Sequence, residues 1–199
     1  MFVYCLNNPI LRTDISGTVS WAGVGAGLLL IGAAALTIAT FGTGTPLAVA
    51  AASIAFSTGV VTTIAAATEK PMVIDLSVSK QTPLSGTYGK VGTSVIVDFS
   101  KNEAYRYDHI GGGEGVCEGA SYSVGLVENY SEPMDYSKHF YDINVGKTMG
   151  IDICFTPQES LEELKNTTHA ICATYSFPFG LSAGVGYDYY SPPIMLFLW

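Results

Sequence analysis

Positive charge is scarce in this sequence. Its 199 residues include 9 Lys and Arg against 17 Asp and Glu, which gives a formal net charge of -8. Because nucleic-acid affinity depends mainly on clustered cations, this balance argues against a nucleic-acid partner. Charged residues of both signs make up only 13% of the chain and apolar residues 48%, so the sequence lies far from the disordered class.

The sequence also lacks the usual patterns of metal and nucleotide sites. Its three histidines have no zinc spacing, and its four cysteines contain no CxxC pair. The segment Gly146-Lys147-Thr148 resembles the end of a phosphate loop, but Tyr141 stands where the first glycine is required. We therefore expect neither a metal nor a cofactor.

Charge is absent altogether from the 54 residues between Asp14 and Glu69. This stretch holds two apolar arms, residues 21–41 and 47–67, separated by a Gly/Thr/Pro-rich turn at residues 42–46. A helix of about 21 residues, at ~1.5 Å per residue, matches the ~30 Å hydrocarbon core of a bilayer. Residues 18–68 are therefore predicted to form a helical hairpin that enters a membrane. The alternatives are a hairpin buried inside a larger parent protein and a cleaved signal peptide.

Small residues within this hairpin favour close contact between the two helices. Gly23 and Gly27 lie four positions apart, and both arms are rich in Ala and Thr. Small residues at that spacing let two helix backbones approach each other.

The residues before the hairpin carry a family resemblance. The segment Tyr4-Cys5-Leu6-Asn7-Asn8-Pro9, followed by Asp14-Ile15-Ser16-Gly17, resembles the boundary motif that ends the shell-forming core of RHS/YD-repeat proteins. Ile15 stands where the family usually has proline. The resemblance covers residues 1–17, and it implies that they are the remnant of such a core boundary.

In that family, the segment after the boundary is a variable C-terminal effector domain of a bacterial polymorphic toxin. The resemblance therefore implies a secreted or cell-surface location as part of a larger protein, and a cognate immunity protein as a partner. Gly/Ala-rich hydrophobic hairpins are common directly after the family's boundary motif.

The acidic remainder, residues 69–199, has the period of two that is typical of strands. Ile74, Leu76 and Val78 alternate with polar residues, and further alternating segments follow. With turn signals between them, about eight strands are predicted, which is enough to close a small antiparallel barrel or a barrel-like sandwich. Gly111-Gly112-Gly113 is interpreted as one of the turns. A short helix is predicted to begin at Thr156-Pro157-Gln158-Glu159, with Leu161 and Leu164 on one face.

We expect this barrel to have an apolar interior and a water-facing exterior. On that view the outward positions carry the charged residues of the strands, namely Asp75, Asp98, Arg106, Asp108, Asp142 and Asp152. A transmembrane barrel is disfavoured, because alternate positions of every strand would then have to face lipid.

One pattern indicates a catalytic thiol. Gly115-Val116-Cys117-Glu118-Gly119 has the spacing of a nucleophile elbow, with cysteine in place of serine, and His139 and His169 follow it in the chain. A neighbouring histidine would generate the thiolate that attacks a substrate. The alternative is that Cys117 is a small residue in a tight strand, because the following residues continue as a strand.

The longest polar loop, residues 128–136, is a candidate ligand-binding segment. Tyr130, Asp135 and Tyr136 combine aromatic surface with a carboxylate, as binding loops often do. The alternative is a solvated connection between strands. The sequence names no small-molecule ligand.

Three functional hypotheses follow. The first is a non-enzymatic effector module of an RHS-like toxin, associated with a lipid bilayer through its hairpin and carrying a barrel that binds a target. The second is a small enzyme with Cys117 and a histidine in the barrel mouth. The third is an inert structural or binding tip of a large secreted protein.

Overall fold

The computed structural model describes residues 20–41, 46–82, 85–137, 139–146, 149–155, 167–177 and 182–198. The boundary motif, residues 42–45 of the predicted turn and the short helix predicted from Thr156 lie outside the described residues. The chain divides into two compact units. Of the described residues, the first unit takes those up to residue 72 together with residues 97–103 and 197–198, and the second takes those within 73–96 and 104–196.

The first unit contains the predicted helical hairpin. Helix α1 spans Trp21–Phe41 and helix α2 spans Pro46–Thr68. Ser20 caps α1, because its Oγ accepts a hydrogen bond from the Gly23 amide at 3.3 Å. The Ser20 amide also donates to the carbonyl oxygen of Ala66 at 3.1 Å, which ties the start of α1 to the end of α2.

Glycines set the close approach of the two helices. A Cβ atom added at Gly27 would lie 2.6 Å from the carbonyl oxygen of Gly59, and one added at Gly59 would lie 2.6 Å from that of Gly27. At Gly23 it would lie 2.6 Å from the Cβ atom of Ala66. Gly25, in contrast, has nothing within 4 Å of the same position. The predicted small-residue contact therefore involves Gly23 and Gly27.

The hairpin is apolar on all sides and exposes much of its apolar surface. Large side chains stand exposed on both helices: Leu28, Leu29, Leu36, Val49, Phe56 and Ile64. Among the described residues, one helical stretch, Ala48–Thr68, is long and apolar enough to cross a membrane, and 28% of its most apolar window is buried. A shorter apolar stretch, Ala22–Leu36, lies in α1.

The second unit is built from strands. Their bounds are β1 Met72–Gln81, β2 Thr87–Asp98, β3 Glu103–Val116, β4 Gly119–Glu128, β5 His139–Gly146, β6 Met149–Phe155, β7 His169–Phe177, β8 Ser182–Tyr190 and β9 Ile194–Leu198. A 3-10 helix, Pro133–Tyr136, lies between β4 and β5. The first eight strands correspond to the eight predicted ones, and β9 is an additional strand.

These strands close into a barrel. The spatial order is β2-β1-β4-β7-β6-β5-β8-β3, and β3 pairs back with β2, so that eight strands form a closed ring. Strand β9 pairs with β3 outside that ring. The prediction of a mainly β fold, with an eight-stranded antiparallel barrel and an N-terminal helical hairpin, is thus confirmed.

The predicted turn at Gly111–Gly113 is wrong. These glycines continue β3 and pair with Asp188, Tyr187 and Gly186 of β8. A Cβ atom at Gly111 would collide with the Asp188 carboxylate, and one at Gly113 would collide with the Val185 carbonyl oxygen. The glycines therefore serve close packing between two strands rather than chain reversal.

The expectation of an apolar interior is also wrong in part. Asp75 and Asp152 are buried inside the barrel, and Asp98 is buried as well, although in the other unit. Arg106 and Asp108 do face solvent, where they form an ion pair. The side chain of Asp142 lies outside the described residues.

The cause is an inverted alternation along the strands. On β1, Asp75 and Ser77 are buried while Leu76 and Val78 are exposed. The period of two was therefore read correctly, but the polar positions point inward and not outward.

Replacing Gly27 with Ala tests the hairpin contact. The added methyl group would press on the Gly59 carbonyl, so we expect a loss of about 1–3 kcal/mol of hairpin stability. Gly25→Ala is the matched control, because its methyl group meets open space and Ala favours a helix over Gly by ~1 kcal/mol. Thermal unfolding followed by circular dichroism measures both, and equal melting curves for the two variants would contradict the contact.

Candidate functional site in the barrel interior

A group of buried charged side chains lies inside the barrel. Lys90 of β2 donates a hydrogen bond from its Nζ to Oδ2 of Asp188 on β8 at 2.7 Å, and both side chains are almost inaccessible to solvent. His109 of β3 lies between two carboxylates, with Nε2 at 2.8 Å from Asp75 Oδ1 and Nδ1 at 3.7 Å from Asp188 Oδ2. One lysine ammonium group, one imidazole and two carboxylates are thus gathered from four strands.

Two hydrogen bonds stabilise the Asp75 carboxylate. Its Oδ1 accepts hydrogen bonds from His109 and from the Ser94 hydroxyl, the latter at 2.5 Å. Burial by itself raises the pKa of Asp75, but the bond and charge of His109, the charge of Lys90 and the Ser94 hydroxyl outweigh it. The pKa of this carboxyl consequently lies below its ordinary value, and Asp75 is ionised at neutral pH.

Two glycines make room for the charges. Gly111 adjoins the Asp188 carboxylate. Gly92 of β2 faces His109, and a Cβ atom at Gly92 would collide with the imidazole Nε2. Tyr190 covers the imidazole from another side, with ring centroids 4.8 Å apart in a stacked arrangement. The close approach of the backbone at Gly92 and Gly111 therefore helps to hold the side chains of the site in place, as the ion pair does.

Two atoms of this group keep unused hydrogen-bonding capacity. The Nδ1 atom of His109 and the Oδ1 atom of Asp188 are buried, and neither has a hydrogen-bond partner among the described residues. Because an unsatisfied buried polar atom costs about 1–3 kcal/mol, such atoms are typical of sites that hold water or a small polar ligand.

An open pocket adjoins the charged group. It encloses about 390 Å³ including the space open to solvent, and Lys90 belongs both to its wall and to the ion pair. The remaining lining is polar or small: Ser79, Tyr88, Cys117, Glu118, Gly119, Ala120, Ser121, Asp152 and Ser176. This lining places hydroxyl and carboxylate groups beside the Lys90 ammonium group.

The other part of the interior is aromatic. Tyr107, Tyr136, Phe140 and Tyr190 pack with ring centroids 4.8 to 5.4 Å apart. Burial raises the pKa of Tyr107 to about 12 and holds the pKa values of Tyr136 and Tyr190 well above the ordinary value. These phenols stay protonated under physiological conditions and act as core side chains.

The predicted ligand-binding residues lie at this aromatic part. Tyr136 is fully buried, and Tyr130 packs partly buried against the core. The Asp135 carboxylate accepts hydrogen bonds from the Ser131 amide and hydroxyl and from the Glu132 amide, so that it stabilises the 3-10 turn. The structure therefore gives Asp135 and Tyr136 local structural contacts.

The predicted catalytic residues are not brought together. Cys117 lies in the short connection between β3 and β4, whereas His169 pairs with Glu128 at the far end of β4, about 30 Å away at ~3.3 Å per residue. His139 pairs with Tyr189 at the level of Ile110, which is about 20 Å from Cys117 along β3. The segment after Cys117 is a strand and not the helix that a nucleophile elbow requires.

Sequence reasoning missed Lys90, His109 and Asp188. Lys90 and Asp188 are 98 positions apart in the chain, and His109 and Asp75 are 34 apart, so only the pairing of β2 with β1 and β3 and of β3 with β8 brings them together. The signal in the sequence is the placement of polar residues among alternating apolar ones. Among the described residues no group of three or more His, Cys, Asp and Glu side chains could hold a metal ion.

Comparison with known proteins yields one likeness of fold. No protein-family model matches the sequence, and no curated protein matches it. Among solved structures, the chain is similar to an uncharacterized β-barrel-like protein from Brucella abortus, with a TM-score of 0.41 and 12% sequence identity. The similarity covers 88% of this chain and 96% of the other.

Replacing Asp75 with Asn tests the charged group. Because the pKa of Asp75 is lowered in the folded state, its contribution to stability is present above the unfolded value of ~3.9 and is lost as the pH falls through the folded value. We expect Asp75→Asn to lose about 3–5 kcal/mol at neutral pH and to show a flatter dependence of stability on pH in the acid range. Urea unfolding across pH measures this. Asp108→Asn, at an exposed carboxylate, is the control and should change stability little, and equal effects of both variants would contradict the analysis.

Proposed function

We propose that this chain is the C-terminal effector module of an RHS-like secreted bacterial toxin, which associates with a lipid bilayer through its helical hairpin. In this proposal the barrel is the binding part of the module. The observation that carries it is the hairpin, whose helices bear no charge and expose large apolar side chains on both arms.

The exposure of the hairpin favours a bilayer over burial in a parent protein. A helix that is apolar all round is stable only where water is excluded. Both helices have this character, and their lengths of 21 and 23 residues correspond to about 31–35 Å. The glycine contact between them supports the same environment, since small residues drive helix association where lipid surrounds the pair.

The barrel interior supports a binding role. The pocket beside Lys90, with its hydroxyl and carboxylate lining, is suited to a small polar ligand. A binding role needs no catalytic pair, and this agrees with the separation of Cys117 from His139 and His169.

The effector part of the proposal rests on the resemblance of residues 4–17 to the RHS boundary motif. It implies delivery as part of a larger protein and protection of the producing cell by an immunity protein.

Vesicle flotation tests the membrane part. The full chain should float with phosphatidylcholine vesicles. Lysine at the middle of a spanning helix costs about 2.5–3.5 kcal/mol, so Leu29→Lys and Phe56→Lys should each weaken binding by roughly a hundredfold. Val91→Lys, at an exposed apolar position of β2, is the control and should bind as the unaltered chain does. A chain that stays in the dense fraction refutes the proposal, as does equal binding of all three variants.

Growth of bacterial cells tests the effector part. Cells that produce the full chain should grow more slowly than cells that produce the Leu29→Lys variant, and the comparison is made with and without an export signal. Unimpaired growth with and without the export signal would contradict the effector part and favour the inert structural tip. Vesicle flotation would still decide membrane binding on its own.

A further inference from the structure

The outer surface of the barrel is apolar over four adjacent strands. The register of β8, β5, β6 and β7 aligns their outward side chains in rows across the sheet. One row consists of Val185, Ile143, Ile153 and Ile171, and the next consists of Ala183, Val145, Ile151 and Ala173. The aliphatic side chains that exceed a methyl group are all exposed in these rows. We call this surface the β5–β8 face.

An aromatic row borders the aliphatic rows. Tyr187, Tyr141 and Phe155 lie side by side on β8, β5 and β6, with ring centroids 5.7 and 5.9 Å apart. Tyrosine combines an apolar ring with a polar tip and is enriched where hydrocarbon meets water. The β5–β8 face is therefore graded from aliphatic to aromatic along the strands.

The interior behind the aliphatic rows has the opposite character. At the level between those two rows the inward positions include Asp152, Cys172 and Gly184, whereas Phe140 and Tyr190 lie inside beyond the aromatic row. A water-soluble antiparallel sheet normally places apolar residues inside and polar residues outside. Here the polarity is reversed, which is the arrangement of strands that face lipid.

The rest of the barrel limits how it can meet a bilayer. Strand β3 carries Arg106, Asp108 and Glu114 on its exposed side. A spanning barrel would have to place these charges in hydrocarbon, whereas a barrel that rests with one side on the membrane leaves them in water. Because of the exposed charges on β3, one side of the barrel can lie on an apolar surface, but its whole circumference cannot.

The area of the face argues against a second copy as its occupant. Four strands at ~4.8 Å spacing and about six residues of height give an area on the order of 400 Å². A stable dimer usually buries ~800 Å² on each partner and carries about one hydrogen bond per 100–200 Å². The aliphatic rows offer no side-chain hydrogen-bonding group.

We infer that the β5–β8 face is a second membrane-contact surface, which lies on the hydrocarbon boundary of a bilayer with Tyr187, Tyr141 and Phe155 at the headgroup level. The inference goes beyond the hairpin anchor, and it rests on the proposed function in taking a bilayer as the partner. Because the whole chain carries a net charge of -8, the contact is apolar and not electrostatic.

A fluorescent label on the face tests this inference in the full chain. Ile151→Cys and Val91→Cys are made in a Cys5→Ser background, labelled with a nitrobenzoxadiazole dye, and checked by mass spectrometry for a single label. Ile151 and Val91 are matched, since they are 57% and 59% exposed and lie on β6 and β2, on opposite sides of the ring. Phosphatidylcholine vesicles should increase and blue-shift the emission at residue 151 and leave residue 91 unchanged.

A binding measurement provides the second test. Ile151→Lys should weaken vesicle binding by about tenfold, whereas Val91→Lys should not. Added phosphatidylglycerol should weaken binding further, because the acidic chain is repelled by an anionic surface. A requirement for phosphatidylglycerol would overturn the inference.

The outcomes separate this inference from the proposed function. If the full chain does not bind vesicles, both are refuted. If it binds and the labels at residues 151 and 91 respond alike, the hairpin proposal stands and the β5–β8 face is refuted. If emission at residue 151 rises with protein concentration in the absence of vesicles, the face is an interface between copies of this chain.

Discussion

The barrel depends on keeping charged side chains away from water without leaving them uncompensated. Lys90 and Asp188 would each cost several kcal/mol if buried alone, and their hydrogen bond offsets that cost only because both are held in place by neighbouring strands. The imidazole of His109 connects this pair to Asp75, so that polar side chains of β1, β2, β3 and β8 contact one another. Closure of the ring between β2 and β3 brings these strands together, and the charged group in turn fixes their register.

The polar interior determines which side chains lie on the outer surface. A barrel of eight strands has room inside for side chains and at most one small ligand. Where inward positions of β1, β2, β6 and β8 are occupied by charged or small residues, the apolar residues next to them in the strand point outward, because successive side chains alternate between the two faces. The exposed Leu76, Val91, Ile151 and Val185 are therefore a consequence of the polar core, and an external apolar environment would stabilise both at once.

Much of the fold could be predicted because its signals are local. The uncharged arms and the alternating segments specify two helices and eight strands from neighbouring residues alone. Which face of a strand points inward is not local: an alternation such as that around Asp75 is compatible with either side until the ring of partners is known. Gly111–Gly113 was misread for the same reason, since the need for close packing against Asp188 appears only when β8 lies beside β3. The ion pair between Lys90 and Asp188 joins residues 98 positions apart, and no spacing rule connects them.

The net negative charge of this chain affects how both of its apolar surfaces, the hairpin and the β5–β8 face, can bind a partner. A chain with a net charge of -8 gains nothing from anionic lipids, so any attraction to a bilayer has to come from apolar area. The exposed leucines of α1 and the aliphatic rows of β5–β8 supply such area, and both stretches lack charged groups among their outward described side chains. Described acidic residues lie elsewhere: Asp75 and Asp188 are paired inside the barrel, and Asp108 lies in solvent on β3. The apolar surfaces and these charges are therefore kept on different parts of the chain.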